Sequence, residues 1–183
     1  MQIIFYPQQD SSQELRGQIL ALEDLAWPSF RGAPWPQREH RASLCGQENG
    51  LLIAHAAVTA ATLSHKGQCY RAFGLCEVVV HPEYRGRGLA SALIVAAREY
   101  MQREGADLGV FTCEPALCKL YADAGWKRMD GLCVRGGTSP NALRSDALGL
   151  CTLLGLFSPK AISHQSDFIC GELILPLEAG ELW

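Results

Sequence analysis

Apolar positions along this chain alternate between two periods. Ile3 to Tyr6 is a short apolar run of strand length. Leu15, Ile19, Leu22 and Leu25 then recur at helical spacing, and Ser11 or Ser12 is placed to cap a helix reaching about Ala26. The stretch Trp27 to Pro36 holds three prolines and three aromatics, which excludes a regular helix or a central strand and predicts a shaped loop. A short helix is expected from about Pro36 to Ser43. Leu44 to Gln47 and Leu51 to Ser64 flank Glu48-Asn49-Gly50, a hairpin turn, and His65-Lys66-Gly67 turns the chain again into a strand from Gln68 to Val80.

Helical spacing returns at Leu89, Leu93, Ala96 and Tyr100, giving a helix from Gly88 to about Glu104 that Gly105 ends. Leu108 to Cys113 reads as a buried strand. Pro115 suits a helix start, Leu117, Leu120, Tyr121 and Ala124 continue it, and Gly125 closes it before a strand at Trp126. Gly136 to Gln165 has no clear period and predicts an irregular or short helical insertion. Asp167 to Leu175 alternates as a late strand. The resulting expectation is a mixed α/β domain over residues 1–183, with helices flanking one central, mostly antiparallel sheet and an insertion at about 136–165.

One stretch carries chemistry on its own. The β-branched run Val78-Val79-Val80 gives way to His81-Pro82-Glu83-Tyr84, then to Arg85-Gly86-Arg87-Gly88-Leu89-Ala90 at a helix start. Successive backbone N–H groups and the positive end of a helix dipole form an anion site, and the glycines keep side chains out of it. A nucleotide P-loop needs Gly-Lys-Ser or Gly-Lys-Thr, and Leu89-Ala90 follows Gly88 instead. A dinucleotide fingerprint needs a third glycine, where Ser91 stands.

Composition narrows the classes. With 183 residues, 48% hydrophobic and a formal net charge of −3, the chain reads as globular and not as a general nucleic-acid binder. No stretch approaches the roughly 20 apolar residues of a membrane helix, and the N-terminus lacks a signal peptide, so a cytoplasmic location without a membrane partner is expected. The eight cysteines include no C-x-x-C pair, which points to reduced, mostly buried thiols and to no bound metal.

Arg85-x-x-Gly88-x-Ala90 after a hydrophobic strand resembles the acyl-CoA pyrophosphate loop of the GCN5-related N-acetyltransferases. The resemblance implies acetyl-CoA as cosubstrate, with its phosphates on the backbone N–H groups of Arg85, Gly86, Arg87, Gly88, Leu89 and Ala90. It also implies pantetheine pairing by the backbone of Val78, Val79 and Val80, with Thr112 or Cys113 as a further partner. Leu120-Tyr121-Ala122-Asp123-Ala124-Gly125-Trp126 is similar to the family's tyrosine signature, so Tyr121 becomes the general acid that protonates the leaving thiolate. Glu77 is the first candidate for the base that takes the amine proton, and His81 the second. A covalent route through Cys113 or Cys118 lacks the histidine partner it would need.

A narrower resemblance, over roughly residues 50 to 131 and the last five, is to the aminoglycoside 2′-N-acetyltransferases. It rests on Ile53-Ala54-His55-Ala56-Ala57-Val58, the loop, the Tyr121 segment and Ala179-Gly180-Glu181-Leu182-Trp183. It implies acetylation of an aminoglycoside amino group, the 2′-amine, with Glu181 and the carboxylate of Trp183 against the cationic antibiotic. Trp27, Phe30, Arg31 and Trp35 would form the rest of the acceptor wall. Two departures stand out. Arg31 occupies a region where that branch carries acids, which suggests a less cationic acceptor bearing its own carboxylate, such as kasugamycin. The branch's base position falls on Cys76, and Glu77, one place along a strand, would face the other way unless a bulge re-aims it. Three readings follow: an aminoglycoside acetyltransferase, an acetyltransferase for another small amine or a protein N-terminus, and a non-catalytic acyl-CoA sensor. Tyr121 speaks against the last. The resemblance also leaves a homodimer open.

Overall fold

The computed structural model describes residues 1–28, 40–177 and 182–183. The element order is β1 (Gln2–Pro7), α1 (Gln13–Ala26), β2 (Ala42–Glu48), β3 (Leu51–His65), β4 (Gln68–Val80), α2 (Leu89–Arg103), β5 (Leu108–Cys113), α3 (Cys118–Asp123), β6 (Lys127–Met129), β7 (Gly131–Gly136), β8 (Cys151–Leu156), α4 (Pro159–Ser163) and β9 (Cys170–Leu175). Local chemistry accounts for most boundaries. The Ser12 hydroxyl accepts from the Leu15 amide at 3.1 Å and caps α1. Asn49 and Gly50 (φ +53° and +79°), then Lys66 and Gly67 (+45° and +80°), supply the paired positive φ values that two-residue hairpins require.

Seven strands form a sheet in the order β1-β2-β3-β4-β5-β8-β6, and β7 pairs in parallel with β9 in a separate two-stranded sheet. Within the larger sheet β1–β2, β2–β3, β5–β8 and β6–β8 are antiparallel, while β4 and β5 run parallel through Ala72–Leu108 and Phe73–Gly109. The fold is therefore the mixed α/β arrangement that the pattern predicts. Contacts divide the chain into two compact units, residues 1–59 with 75–97, and residues 60–74 with 98–183.

In the first unit Leu15, Ile19 and Leu22 from α1 pack with Cys45, Leu52 and Val79. In the second, the Phe111 ring meets Tyr121 and Trp126 edge to face, each at 4.8 Å. Gly109 and Gly155 face each other across β5 and β8. A Cβ on Gly109 would sit 2.7 Å from the Trp126 ring, and one on Gly155 2.7 Å from Phe157. The two glycines thus leave the space that the large rings fill.

Two expectations need correction. Ala42 and Ser43 belong to β2, not to a helix ending at Ser43; residues 36–39 of that expected helix lie outside the described part. The 136–165 stretch is not merely an irregular or helical insertion, because it contains β8, which pairs with both β5 and β6. Its run Cys151-Thr152-Leu153-Leu154-Gly155 is buried at every position, so it lacks the alternation that marks a half-exposed strand. No helix among the described residues is long and apolar enough to cross a membrane.

Candidate functional site

In the first unit β4 runs into a one-turn 3-10 segment, Pro82–Tyr84, and then into the glycine loop. His81 Nδ1 accepts from the Glu83 amide at 3.3 Å, and its ring stands edge-on to Tyr84 at 5.3 Å. That histidine caps the turn. Gly86 and Gly88 hold φ of +76° and +75°, and α2 begins at the next residue, Leu89. The first intrahelical bond runs from Ala92 N–H to Gly88 C=O at 3.1 Å. The amides of Leu89, Ala90 and Ser91 precede it and project from the helix start, the arrangement that receives anions. The loop's cations are partly engaged within the unit. Arg87 makes a bidentate pair with Glu48 (3.1 and 2.7 Å), and Arg85 Nε donates to the Val80 carbonyl at 3.4 Å. Val79 is buried in the core, while Val78 and Val80 are half-buried.

Upstream on β4, Glu77 has φ +54°, a left-handed residue inside a strand. Such a conformation costs about 1–3 kcal/mol in a non-glycine residue and breaks the side-chain alternation. The consequence is visible at Cys76 and Glu77. Though adjacent, the Cys76 Sγ and a Glu77 oxygen lie on one side, together with a His40 nitrogen, all within 4.8 Å of one another. The left-handed φ accounts for this grouping of two adjacent strand residues. His40 Nε2 is 3.1 Å from Glu77 Oε1. Glu77 also groups with Glu23 from α1 and His55 from β3, again with ligand atoms within 4.8 Å. His55 Nδ1 faces Glu23 Oε1 at 3.5 Å, and its Nε2 bonds Ser43 Oγ at 3.2 Å.

Burial pushes the Glu23 carboxyl up, and the nearby His55 ring, 3.5 Å away, only partly offsets it. Burial also works to raise Glu77, but the His40 hydrogen bond and the charges of His40 and His55 bring it below the usual carboxylate range. The site thus pairs an ionised carboxylate with a carboxyl that holds its proton more tightly. The same residues are of the types that ligate metals, and the sequence, without a C-x-x-C pair, gave no sign of the grouping.

In the second unit Tyr121 lies on α3, nearly buried, its ring against Phe111. Thr112 on β5 gives its amide (2.8 Å) and its hydroxyl (2.6 Å) to the main-chain oxygen of Trp183. The donors expected to meet pantetheine are therefore both directed to Trp183. Cys113 Sγ lies 3.8 Å from Cys118 Sγ, and burial, reinforced by Cys118, pushes the Cys113 thiol up to about 12. The Cys113 thiol is therefore not activated as a nucleophile. The Trp183 ring is buried, and Trp27 is exposed at the end of α1. Phe30, Arg31, Trp35 and Glu181 lie outside the described residues.

The acetyltransferase (GNAT) domain model matches residues 18–129, more than half of the chain, and spans β4, the loop, α2 and Tyr121. The chain belongs to the GNAT family. An aminoglycoside 2′-N-acetyltransferase of Mycolicibacterium fortuitum is 31% identical over 107 residues, covering 56% of this chain and 52% of that protein. The chain thus spans about half the length of this curated relative. Among solved structures, a GNAT acetyltransferase from Brucella melitensis in complex with acetyl-CoA superposes with a TM-score of 0.59 at 16% identity, over 94% of each chain. The GNAT protein YhbS from Escherichia coli, in complex with CoA, gives 0.60 at 16% identity over 96% of this chain and 90% of its own. These likenesses establish the fold.

Glu23, His40 and His55 were assigned no role from sequence. A faint signal exists for two of them. Glu23 follows Ile19 by one helical repeat, on the edge of the buried stripe, and His55 interrupts the apolar run Ile53 to Val58 at a fully buried position. His40 falls inside the helix expected over Pro36 to Ser43, and nothing in that pattern marks it as part of a site.

Proposed function

We propose that this chain transfers the acetyl group of acetyl-CoA to an amine, and that the amine belongs to an aminoglycoside. The observation that carries the reading is Glu77: a carboxylate with a left-handed φ, 3.1 Å from His40, on the strand that feeds a glycine loop and a helix start. The loop amides of residues 85–90 receive the pyrophosphate, and no metal is needed for that contact. Glu77 takes a proton from the substrate ammonium. The amine lone pair then forms a bond to the thioester carbonyl carbon, the C–S bond breaks, and the electron pair leaves on sulfur. Tyr121 supplies a proton to that thiolate and recovers one from solvent, and the amide nitrogen sheds its remaining extra proton. The shared signature at Tyr121 and the aminoglycoside-acetylating relative support the acid and the substrate class.

Purified protein with acetyl-CoA and kanamycin, tobramycin or kasugamycin, followed by thiol release and mass spectrometry, tests the reading. A mass gain of one acetyl group on any of the three supports it; release from a polyamine or a peptide N-terminus alone replaces the acceptor class. Glu77→Gln should lower kcat by about 10²–10⁴-fold, the range of general acid–base catalysis. Tyr121→Phe should lower kcat with little change in CoA affinity. The 2′-amine as the acetylated position follows the relative, and kasugamycin follows Arg31. Acetylation of kanamycin but not kasugamycin would remove the latter.

A further inference from the structure

We infer that Glu23 is a positioning residue for acetyl transfer: it receives, through Glu77, the proton taken from the amine, so that a buried relay His55–Glu23–Glu77–His40 and not Glu77 alone forms the base. This rests on the reading of Glu77 as the base. Four observations combine. One oxygen of each carboxyl group and a nitrogen of His55 lie within 4.8 Å of one another. Burial, reinforced by the neighbouring Glu77 charge, pushes the Glu23 carboxyl up, so the pair holds one proton more readily than none. His55, with no exposed surface, faces Glu23 at 3.5 Å, and its far nitrogen is fixed by Ser43. Glu77, at the opposite end, faces His40.

Among the described residues, the titratable groups clustered with the pair are His40 before β2, His55 from β3, and Cys76 beside Glu77 on β4. Cys76 is not a proton acceptor here, since its Sγ donates to the Ala57 carbonyl at 3.6 Å. Once Glu77 takes the amine proton, the pair carries two protons for two carboxyls. Glu23 can then share one across its 3.5 Å contact with His55 Nδ1, and Glu77 is free again. The same donor types would suit a transition metal, but Cys76 as a thiol and His55 bonded to Ser43 favour protons in this cluster.

Glu23→Gln is the decisive variant, because the amide keeps the size and a donor toward Glu77 while removing the titratable group. With acetyl-CoA and the three aminoglycosides above, kcat should fall about tenfold at neutral pH, within the range of proton-transfer effects. KM for acetyl-CoA should stay within about twofold, since the loop is untouched. The deficit should shrink as pH rises, because solvent then takes the proton, and Glu23→Asp should restore part of the rate. A wild-type rate and pH profile in Glu23→Gln, with Glu77→Gln inactive, overturns the relay and leaves the base standing. Full activity in Glu77→Gln overturns both. A readout independent of turnover is carbon-13 NMR of side-chain-labelled glutamates in the wild-type protein. One carboxyl should titrate above the ordinary range and vanish in Glu23→Gln; ordinary titration of every glutamate overturns the proposal. Stoichiometric zinc binding by calorimetry, lost in Glu23→Gln and required for turnover after chelation, overturns it in favour of a metal site.

Discussion

His40 Nε2 lies 3.1 Å from Glu77 Oε1, and His40 is almost wholly buried. Burial alone would raise the Glu77 carboxyl, so its net lowering is the work of this bond and of the neighbouring imidazoles. A carboxyl held below its unfolded value contributes stability above the usual carboxylate range, and that share is lost as pH falls through the lowered folded value. His40→Ala should let Glu77 rise. The acidic limb of the pH–rate profile should then move to higher pH. Stability near neutral pH should fall by about 1–3 kcal/mol, the cost of leaving a buried charged group without its partner. Denaturant melts and rate profiles from acid to neutral pH check both, and an unmoved limb would mean that His40 does not set the Glu77 charge.

On the proposed function, the glycine loop receives CoA through its backbone. Its side chains point elsewhere, with Arg87 on Glu48. An added Cβ on Gly88 would meet no other heavy atom of the chain within 4 Å, so its requirement is the φ of +75° and the approach of a ligand. Gly88→Ala should cost about 1–3 kcal/mol of backbone strain and weaken CoA binding tenfold or more. Arg87→Ala should change CoA affinity by only about threefold, because the exposed pair it breaks is worth little. Calorimetric titration with CoA distinguishes the two. Equal losses would place the Arg87 guanidinium on the phosphates after all.

Much of this was legible in the chain, and the reasons differ by element. Asn49-Gly50 and Lys66-Gly67 define their hairpins because the paired positive φ values are local requirements. Gly88, with its φ of +75°, marks the turn into α2 for a similar local reason. β8 escaped because a strand buried on both faces has no period to read. The grouping of Glu23, His40, His55 and Glu77 escaped for another reason. It needs α1, the entry to β2, β3 and β4 at once, and it turns on the left-handed φ of one residue, Glu77. A strand pattern puts neighbours on opposite faces, so the pairing of Cys76 with Glu77 on one side is invisible without that angle.

Gly109 and Gly155 leave room for rings that large side chains would displace. A methyl group on Gly109 would come within 2.7 Å of Trp126, whose ring also packs on Phe111. Gly109→Ala should therefore destabilise the protein by about 1–3 kcal/mol, the usual range for overpacking a tight core. Gly17→Ala is the control, since a Cβ there meets nothing within 4 Å, and its place inside α1 should make the change neutral or stabilising by up to about 1 kcal/mol. Thermal melts of both variants check the contrast. A Gly109→Ala protein as stable as the wild type would mean that Trp126 can move aside.

The cysteines offer a test that needs no substrate. Cys69 and Cys170 are exposed, whereas burial pushes Cys45 and Cys113 up to about 12. Reaction follows the thiolate fraction and access. A chromogenic disulfide at neutral pH should label Cys69 and Cys170 in a fast phase, and Cys45 and Cys113 only after unfolding. The Cys69→Ser, Cys170→Ser double variant should lose the fast phase. Cys113→Ser should then keep the acetyl-transfer rate within about twofold, because a thiol this far from ionisation contributes no nucleophile. A rapidly labelled Cys113, or a Cys113→Ser enzyme trapped before transfer, would instead route the acetyl group through sulfur and displace the direct attack of the amine.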